Sequence, residues 1–523
     1  MQIRPAVANG VWGAASLSAW QRFGQALRDP ADAQERLLRR YLRENAATAT
    51  GRTFAFSSIA SIDDYQSRVP ISTFDSMDPL VQRIAGGERN VLTCDPVRRL
   101  VPSSGSTSAV KLIPYTATLQ REFSRAVDAW IADLYFHRPR LMLGPAYWSI
   151  TPATAPERPF VNAESSVAIG FDDDSAYLGG VRGALTRAVM AVPSTVRFSR
   201  DLTSFRRTTL RHLVCARELR LISVWHPSFL TTLLDTLAWD WDAILNEVST
   251  VDASRARELR RIAPNQVRAI WPHLGLISCW GDGPAQAAAG ELATRLAGIE
   301  IQRKGLLATE GVVTIPFRGH HPLAIRSHFF EFLAADGRAA LAHQLEPGAE
   351  YSVVLTTGGG LYRYHLADRV IVTGWVERTP SLAFVGKDDR VSDRRGEKLS
   401  DGFVAGVFDT LFAARRPRPR FAMLAPEERG SSVCYTLFIE ADEGDTDRGE
   451  APLAAMLEAG LRANPHYAWC VDIGQLHPAR VVRVGPGANR AYVDFCVTQG
   501  QRMGDVKPVS LHPGTDWSRV LPC

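Results

Sequence analysis

Apolar positions along the chain recur with helical spacing in some stretches and in compact runs in others. Between 31 and 46, ADAQERLLRRYLRENA places Leu37, Leu38, Tyr41 and Leu42 on one side of a helix. Leu119, Phe123, Val127, Trp130, Ile131 and Leu134 recur at three- and four-residue steps, which predicts a long amphipathic helix. Short apolar runs then alternate with helical patterns: RLISVW at 220–225, a helix over 227–237, LGLISCWG at 274–281, and a helix over 284–297. That alternation predicts largely parallel strands covered by helices.

From about Gly305 the texture changes. GLLATEGVVTIPF, LAIRSHFFEFL, EYSVVLTTGGGLYRYHLADRVIVTGWV and SLAFVG are closely spaced strand candidates divided by Gly and Pro. Beyond Gly386, the charged stretch KDDRVSDRRGEKLSD leads to a helix, strands around FAMLAP and CYTLFIEA, an acidic loop, a helix over 453–463 and a strand over 490–497. The fold class expected is α/β. A large N-terminal domain, 1–386, has mixed, mostly parallel sheets flanked by helices plus a β-rich subdomain. A small, mobile α+β C-terminal domain, 387–523, follows a polar hinge near 386–390.

Composition narrows the classes. With 46% hydrophobic and 22% charged residues, the chain is globular rather than disordered. A net charge of +5 is small for 523 residues, and its arginines are scattered in pairs, which argues against a nucleic-acid partner. Seven cysteines without a C-x-x-C pair or a metal-ligand spacing with histidine suit a reducing compartment. No run of about 18 apolar residues occurs, and the N-terminus lacks the apolar core of a secretory signal. We therefore expect a cytoplasmic protein, a monomer or weak oligomer, with no membrane partner.

Five stretches carry candidate chemistry, and each admits a plainer reading. SSGSTSA at 103–109, placed between a strand-like LVP and a helix with Lys111 close by, can wrap an anion with backbone N–H groups and hydroxyls, or simply turn the chain. No G-x-x-x-x-G-K-[ST] occurs, so a P-loop is disfavoured. In LLATEGVV, Thr309 can reach a phosphate and Glu310 can hold Mg²⁺ through oxygen, or the pair can be an exposed hairpin. In GLYRYHLADRVIVTG, Asp368 can accept from both ribose hydroxyls, while His365 is a catalytic or a packed histidine. GKDDRVSDRRGEKLSD is a hinge or a solvated loop. Lys507 in GDVKP is a late lysine whose interest lies in its position.

The order of these pieces resembles the adenylate-forming superfamily of acyl-CoA synthetases and luciferases. More closely, VPISTFDSMDPLVQRIAGGERNVLT running into SSGSTSAVKLIP, with LYRYHLADRVIVTGWVERTPSLAFVGKDDRVSDRRGEKLSD and NPHYAW, resembles the Gretchen Hagen (auxin-responsive promoter) family of acyl acid amido synthetases. The resemblance implies an AMP-forming ligase: ATP and a carboxylic acid give an acyl-adenylate and pyrophosphate, and an amine or amino acid then displaces AMP to make an amide. It implies ATP and Mg²⁺ as cofactors. Ser103, Ser104, Gly105, Ser106 and Thr107 would wrap the phosphates, Thr309 would serve phosphate, and Glu310 would serve Mg²⁺. Asp368 would hold the ribose, with Lys387, where many relatives have arginine, and Arg390 beside the nucleotide. Asp389 would lie at the hinge, and Lys398 and Lys507 would be the mobile domain's catalytic lysines.

For the acyl pocket, VWHPSFLTTLL offers Trp225, His226, Phe229 and Leu230, either as walls suited to a hydrophobic or aromatic acid or as core packing. Two other functions stay open: an acyl-CoA ligase sharing the first half-reaction, and a nucleotide-binding interaction protein without ligase activity.

Overall fold

The structure is a computed structural model; the residues it describes are 3–103, 111–150, 167–169, 179–388, 391–392, 394–413, 418–429, 432–440, 450–499, 501 and 506–522. Helix Pro30–Asn45 starts where Asp29 Oδ1 accepts the Asp32 N–H, with proline at the first helical position, and buries Leu37, Leu38, Tyr41 and Leu42. Helix Ala117–His137 starts at Thr116, whose hydroxyl accepts the Leu119 N–H at 3.1 Å, and buries the whole stripe from Leu119 to Leu134.

The α/β alternation is present as expected. Ala146–Trp148, Leu221–Ser223, Leu276–Cys279 and Glu300–Arg303 form a four-stranded parallel sheet in that order. Helices Pro227–Trp239 and Gln286–Arg295 follow the second and third strands, and Phe229, Leu230, Leu233 and Leu292 sink into the same buried cluster as Ile222 and Ile277. The β-rich stretch forms a five-stranded antiparallel sheet in the order Thr379–Lys387, Tyr364–Val376, Glu350–Thr356, Phe329–Leu333 and Ala339–Leu341. Nearer the C-terminus, Phe421–Arg429, Ser432–Glu440 and His477–Arg483 make a third sheet, over which helices Asp401–Leu411 and Glu450–Leu461 pack. Residues beyond Val506 are stitched to that sheet, since Leu424 N–H donates to Ser510 O and His512 N–H to Leu424 O, both at 2.8 Å.

Three local expectations change. Lys111–Thr116 is a strand, antiparallel to Val97–Ser103 with Ser103 opposite Lys111, so SSGSTSA joins two strands rather than a strand and a helix. The reason is that the helix cannot start before its Thr116 cap, and Leu112 to Tyr115 are buried as sheet. RAYVDFCV at 490–497 lies in helix Ala488–Thr498, not in a strand. Its aromatic and β-branched residues favour a strand, but Ala488, Tyr492, Val493 and Cys496 are the buried ones, a helical repeat, and that packing prevails. GLLATEGVVTIPF forms isolated bridges, Leu307 to Val312 and Thr314 to Leu323, instead of a continuous strand.

No helix among the described residues is long and apolar enough to cross a membrane. One buried cluster crosses between the parallel sheet's helices and the C-terminal region, bringing together Phe205, Leu210, Met423, Tyr492 and Trp517. There the Arg206 guanidinium, 1% exposed, meets Asp494 Oδ1 at 2.7 Å.

Candidate active site

Parallel strands leave their carboxyl ends open, and ligands in such sheets bind just beyond them. Here the residues following three neighbouring strands come together: Trp225 and His226, then Trp280, Gly281 and Asp282, then Lys304, Gly305 and Leu306; all of them but Trp225 and Lys304 line one cleft. Backbone bonds hold them level, with Trp280 N–H donating to Trp225 O and Lys304 N–H to Cys279 O, each at 2.8 Å. The Gly-Asp-Gly turn then folds tightly against Thr379–Lys387: Gly283 has φ +54°, and a Cβ there would stand 3.0 Å from the Val385 carbonyl oxygen. Trp280 and Phe384 are thereby walls of one cleft, whose empty space, open mouth included, is about 560 Å³. Lys387, Asp401 and Lys507 also line it.

Four of the expected residues meet deep in this region. Asp368, 3% exposed, accepts an ion pair from Lys387 Nζ at 2.9 Å. Glu310, also buried, accepts the Ser103 hydroxyl at 3.1 Å. Burial pushes the Glu310 carboxyl above its ordinary range, with the Asp368 charge adding to the rise and the Lys387 ammonium opposing it. Thr309 is half-buried in the turn closed by the Ala308 N–H to Gly311 O bond. Glycine is needed at 311 because a Cβ would lie 2.8 Å from His328 Nε2, which accepts the Val312 N–H at 3.0 Å. Among the described residues no three His, Cys, Asp or Glu side chains cluster as a metal cage. One buried carboxylate with a second nearby is instead a donor set that fits Mg²⁺ already carried by phosphates and water.

Lys507 reaches the cleft from the stitched tail. Its carbonyl accepts the Tyr492 hydroxyl at 3.0 Å, and its ammonium stands 3.7 Å from the Trp280 ring centroid. His226, 1% exposed, caps its helix: Nδ1 accepts the Ser228 N–H at 3.1 Å. The neutral ring therefore carries its proton on Nε2, which lacks a partner among the described residues. Burial, reinforced by the Lys507 charge, holds the His226 pKa down at about 3. His226 is thus a neutral hydrogen-bond donor rather than a base.

Other expected residues lie elsewhere. Phe229 and Leu230 are in the core cluster and do not line the cleft. Lys398 is exposed, with φ +46°, and its carbonyl accepts from Asn464 Nδ2. His365 pairs with Asp388 at 3.4 Å and donates its backbone N–H to Ser72 O. Burial would raise the Asp388 carboxyl, yet hydrogen bonds from His365 and Ser352 keep it below its usual value. Ser104, Gly105, Ser106, Thr107, Asp389 and Arg390 lie outside the described residues.

The sequence reading missed Trp280, Asp282, Lys304 and Phe384. The available signal was CWGDG directly after a buried run. Lys304 is almost fully buried, its ammonium donating to the Val224 carbonyl at 3.0 Å and facing the Trp225 ring at 4.5 Å. Beside it, burial pushes the Cys279 thiol up to about 11, the Lys304 charge drawing it part of the way back.

An α/β enzyme is what this sheet and its charged, aromatic cleft define. The N-terminal domain of the GH3 family matches residues 19–292, its central domain 321–387 and its C-terminal domain 414–512. The chain belongs to the GH3 family. Among similar proteins, the probable indole-3-acetic acid-amido synthetase GH3.12 of Oryza sativa subsp. japonica is 26% identical over 463 residues, 74% of this chain and 73% of its own length. Indole-3-acetic acid-amido synthetase GH3.4 of Arabidopsis thaliana is 21% identical over 93% of this chain and 90% of its own length. The solved structure of the AtGH3.15 acyl acid amido synthetase in complex with 2,4-DB has the same fold, with a TM-score of 0.83 over 98% of this chain and 97% of that one at 16% identity.

Proposed function

We infer that the chain is an ATP-dependent acyl acid amido synthetase, which adenylates a hydrophobic or aromatic carboxylic acid and passes the acyl group to an amine or amino acid. The observation that carries this reading is the meeting of Ser103, Glu310, Asp368 and Lys387 in one group, its two carboxylates buried, beside a cleft that Lys507 enters. A carboxylate is a poor electrophile, so the task is to neutralise phosphate charge and align the acid with the α-phosphorus.

In this reading Asp368 binds the ribose through the oxygen that Lys387 leaves open. Ser103, with Ser104 to Thr107 and Thr309, donates to the phosphates. Glu310 holds Mg²⁺, which when bound spreads charge away from the triphosphate oxygens. The His226 Nε2–H donates to one oxygen of the substrate carboxylate, and Lys507 stands against the charge that builds between carboxylate and α-phosphate. Because His226 cannot take a proton near neutral pH, the attacking amine must lose its proton to another group or to solvent. Trp280 and Phe384, which line the cleft, suit an apolar or aromatic acyl group, with Trp225 packed against Trp280. We also read 387–523 as a unit that turns about 386–390, exchanging Lys507 for the exposed Lys398 between the two half-reactions.

Acid-dependent exchange of pyrophosphate into ATP, run with a broad acid panel, tests the first step. Failure with every acid overturns it and leaves a nucleotide-binding protein. Product masses with amino acids against coenzyme A separate amide from thioester. Lys507→Ala should keep ATP binding and slow exchange about a hundredfold; unchanged exchange removes that lysine from the step.

A further inference from the structure

Trp280 has no role in the reading above beyond that of a wall, yet its surroundings are specific. Its ring faces the Lys507 ammonium at 3.7 Å and lies 5.5 Å from the Trp225 ring, which in turn faces the Lys304 ammonium at 4.5 Å. Two indoles are thus held between two ammonium groups. The inner end of this row is rigid: Lys304 is tied to the Val224 carbonyl, and Trp280 N–H to the Trp225 carbonyl, at the ends of paired parallel strands. The outer end is a lysine with four rotatable bonds on a separate segment, the tail beyond Val506.

An ammonium over an indole face is drawn by the ring quadrupole, most strongly where water is partly excluded. Trp280 is half-buried and its partner lysine lies in the cleft, so the contact meets that condition. We propose that Trp280 is a positioning residue for adenylation: its indole face seats the Lys507 ammonium in the cleft, ahead of ATP and acid. The seat joins the sheet to the tail, so it favours the arrangement in which that lysine faces the acid. Transfer of the acyl group to the amine, after adenylation, does not need it. This proposal rests on the ligase reading.

The test compares Trp280→Phe, which keeps a π face, with Trp280→Leu, which keeps apolar bulk alone. Trp280→Met serves as the second non-aromatic variant if leucine does not fold. The expected result is an exchange kcat about tenfold lower in the leucine variant, within the roughly three- to thirty-fold range of such contacts, with the ATP KM within about twofold. The phenylalanine variant should recover most of it, and in the leucine variant amide formation from a synthetic acyl-adenylate should fall by less than exchange does. Equal loss in the two variants, or none in leucine, overturns the proposal.

A second measurement does not depend on ligase activity. Acetylation of Lys507 by acetic anhydride, followed by peptide mass spectrometry on the full chain, should be faster in Trp280→Leu than in the wild type or Trp280→Phe. Equal rates in all three overturn the seat even where exchange succeeds. If no acid supports exchange in the wild type, the ligase reading fails while the acetylation result still decides whether the seat exists.

Discussion

Lys387 Nζ stands 2.9 Å from Asp368 Oδ1, and the two residues are also direct partners across the strands Tyr364–Val376 and Thr379–Lys387. The carboxylate proposed for the ribose is therefore held before any nucleotide arrives, and the same ammonium opposes the upward shift of Glu310. Lys387→Ala should raise the ATP KM about tenfold and move the acid limb of the exchange profile to higher pH, because Glu310 then stays protonated further up the scale. Lys387→Arg should keep the wild-type profile. Rate against pH for the three proteins checks both statements.

Glu310 itself gives a test with opposite signs for activity and stability. Its folded carboxyl titrates above the ordinary value of 4.5, so the folded state holds this proton more tightly than the unfolded chain does. Ionising it costs stability as pH rises through and beyond that value. Glu310→Gln should therefore gain in melting temperature over the wild type as pH is raised from 4 to 7, while exchange falls about a hundredfold. Melting curves at several pH values, with no nucleotide added, check the sign.

For His226 the sign is reversed. The folded pKa of about 3 lies below the ordinary 6.5, so the unfolded chain binds the extra proton first. Stability should be complete above pH 6.5 and decline as pH falls towards 3, by about 3 to 5 kcal/mol in all. Asparagine keeps an acceptor for the Ser228 N–H but does not titrate. His226→Asn should accordingly show a shallower loss of melting temperature between pH 6.5 and 4.

The contact of Arg206 with Asp494 joins helix Leu202–Cys215 to helix Ala488–Thr498. Burial pulls the Arg206 pKa down, and Asp494 opposes that pull. Asp494→Ala would leave the guanidinium buried without its counter-charge, at a cost of roughly 2 to 3 kcal/mol, less than for a fully buried pair because Asp494 is partly exposed. Arg206→Leu combined with Asp494→Ala should recover much of it. Denaturant melts of the two proteins check this.

Much of the architecture was legible because burial follows local period. The stripe from Leu119 to Leu134 has one helical solution, and RLISVW and LGLISCWG are apolar on both faces, as inner parallel strands require. Tyr492, Val493 and Cys496 were misread because residue type spoke for a strand while their partners, including Phe421 and Trp517, are distant in sequence. The same limit governed the cleft. Glu310 and Asp368 stand out by chemistry in short motifs, whereas Trp280 and Lys304 acquire meaning only from Lys507 and Trp225, neighbours brought in by tertiary packing.

Cys279 and Trp280 are adjacent, yet one is sealed in the core and the other faces the cleft. Cys279 ends the strand Leu276–Cys279, which is buried along its whole length, and Trp280 is the first residue beyond it, so a slip of this strand by a single residue would carry the sulfur to the edge of the cleft. A thiol with its pKa near 11 reacts slowly with alkylating reagents, so silence at Cys279 is a chemical signature of correct registration. A preparation can thus be judged for an assembled cleft before any substrate is known.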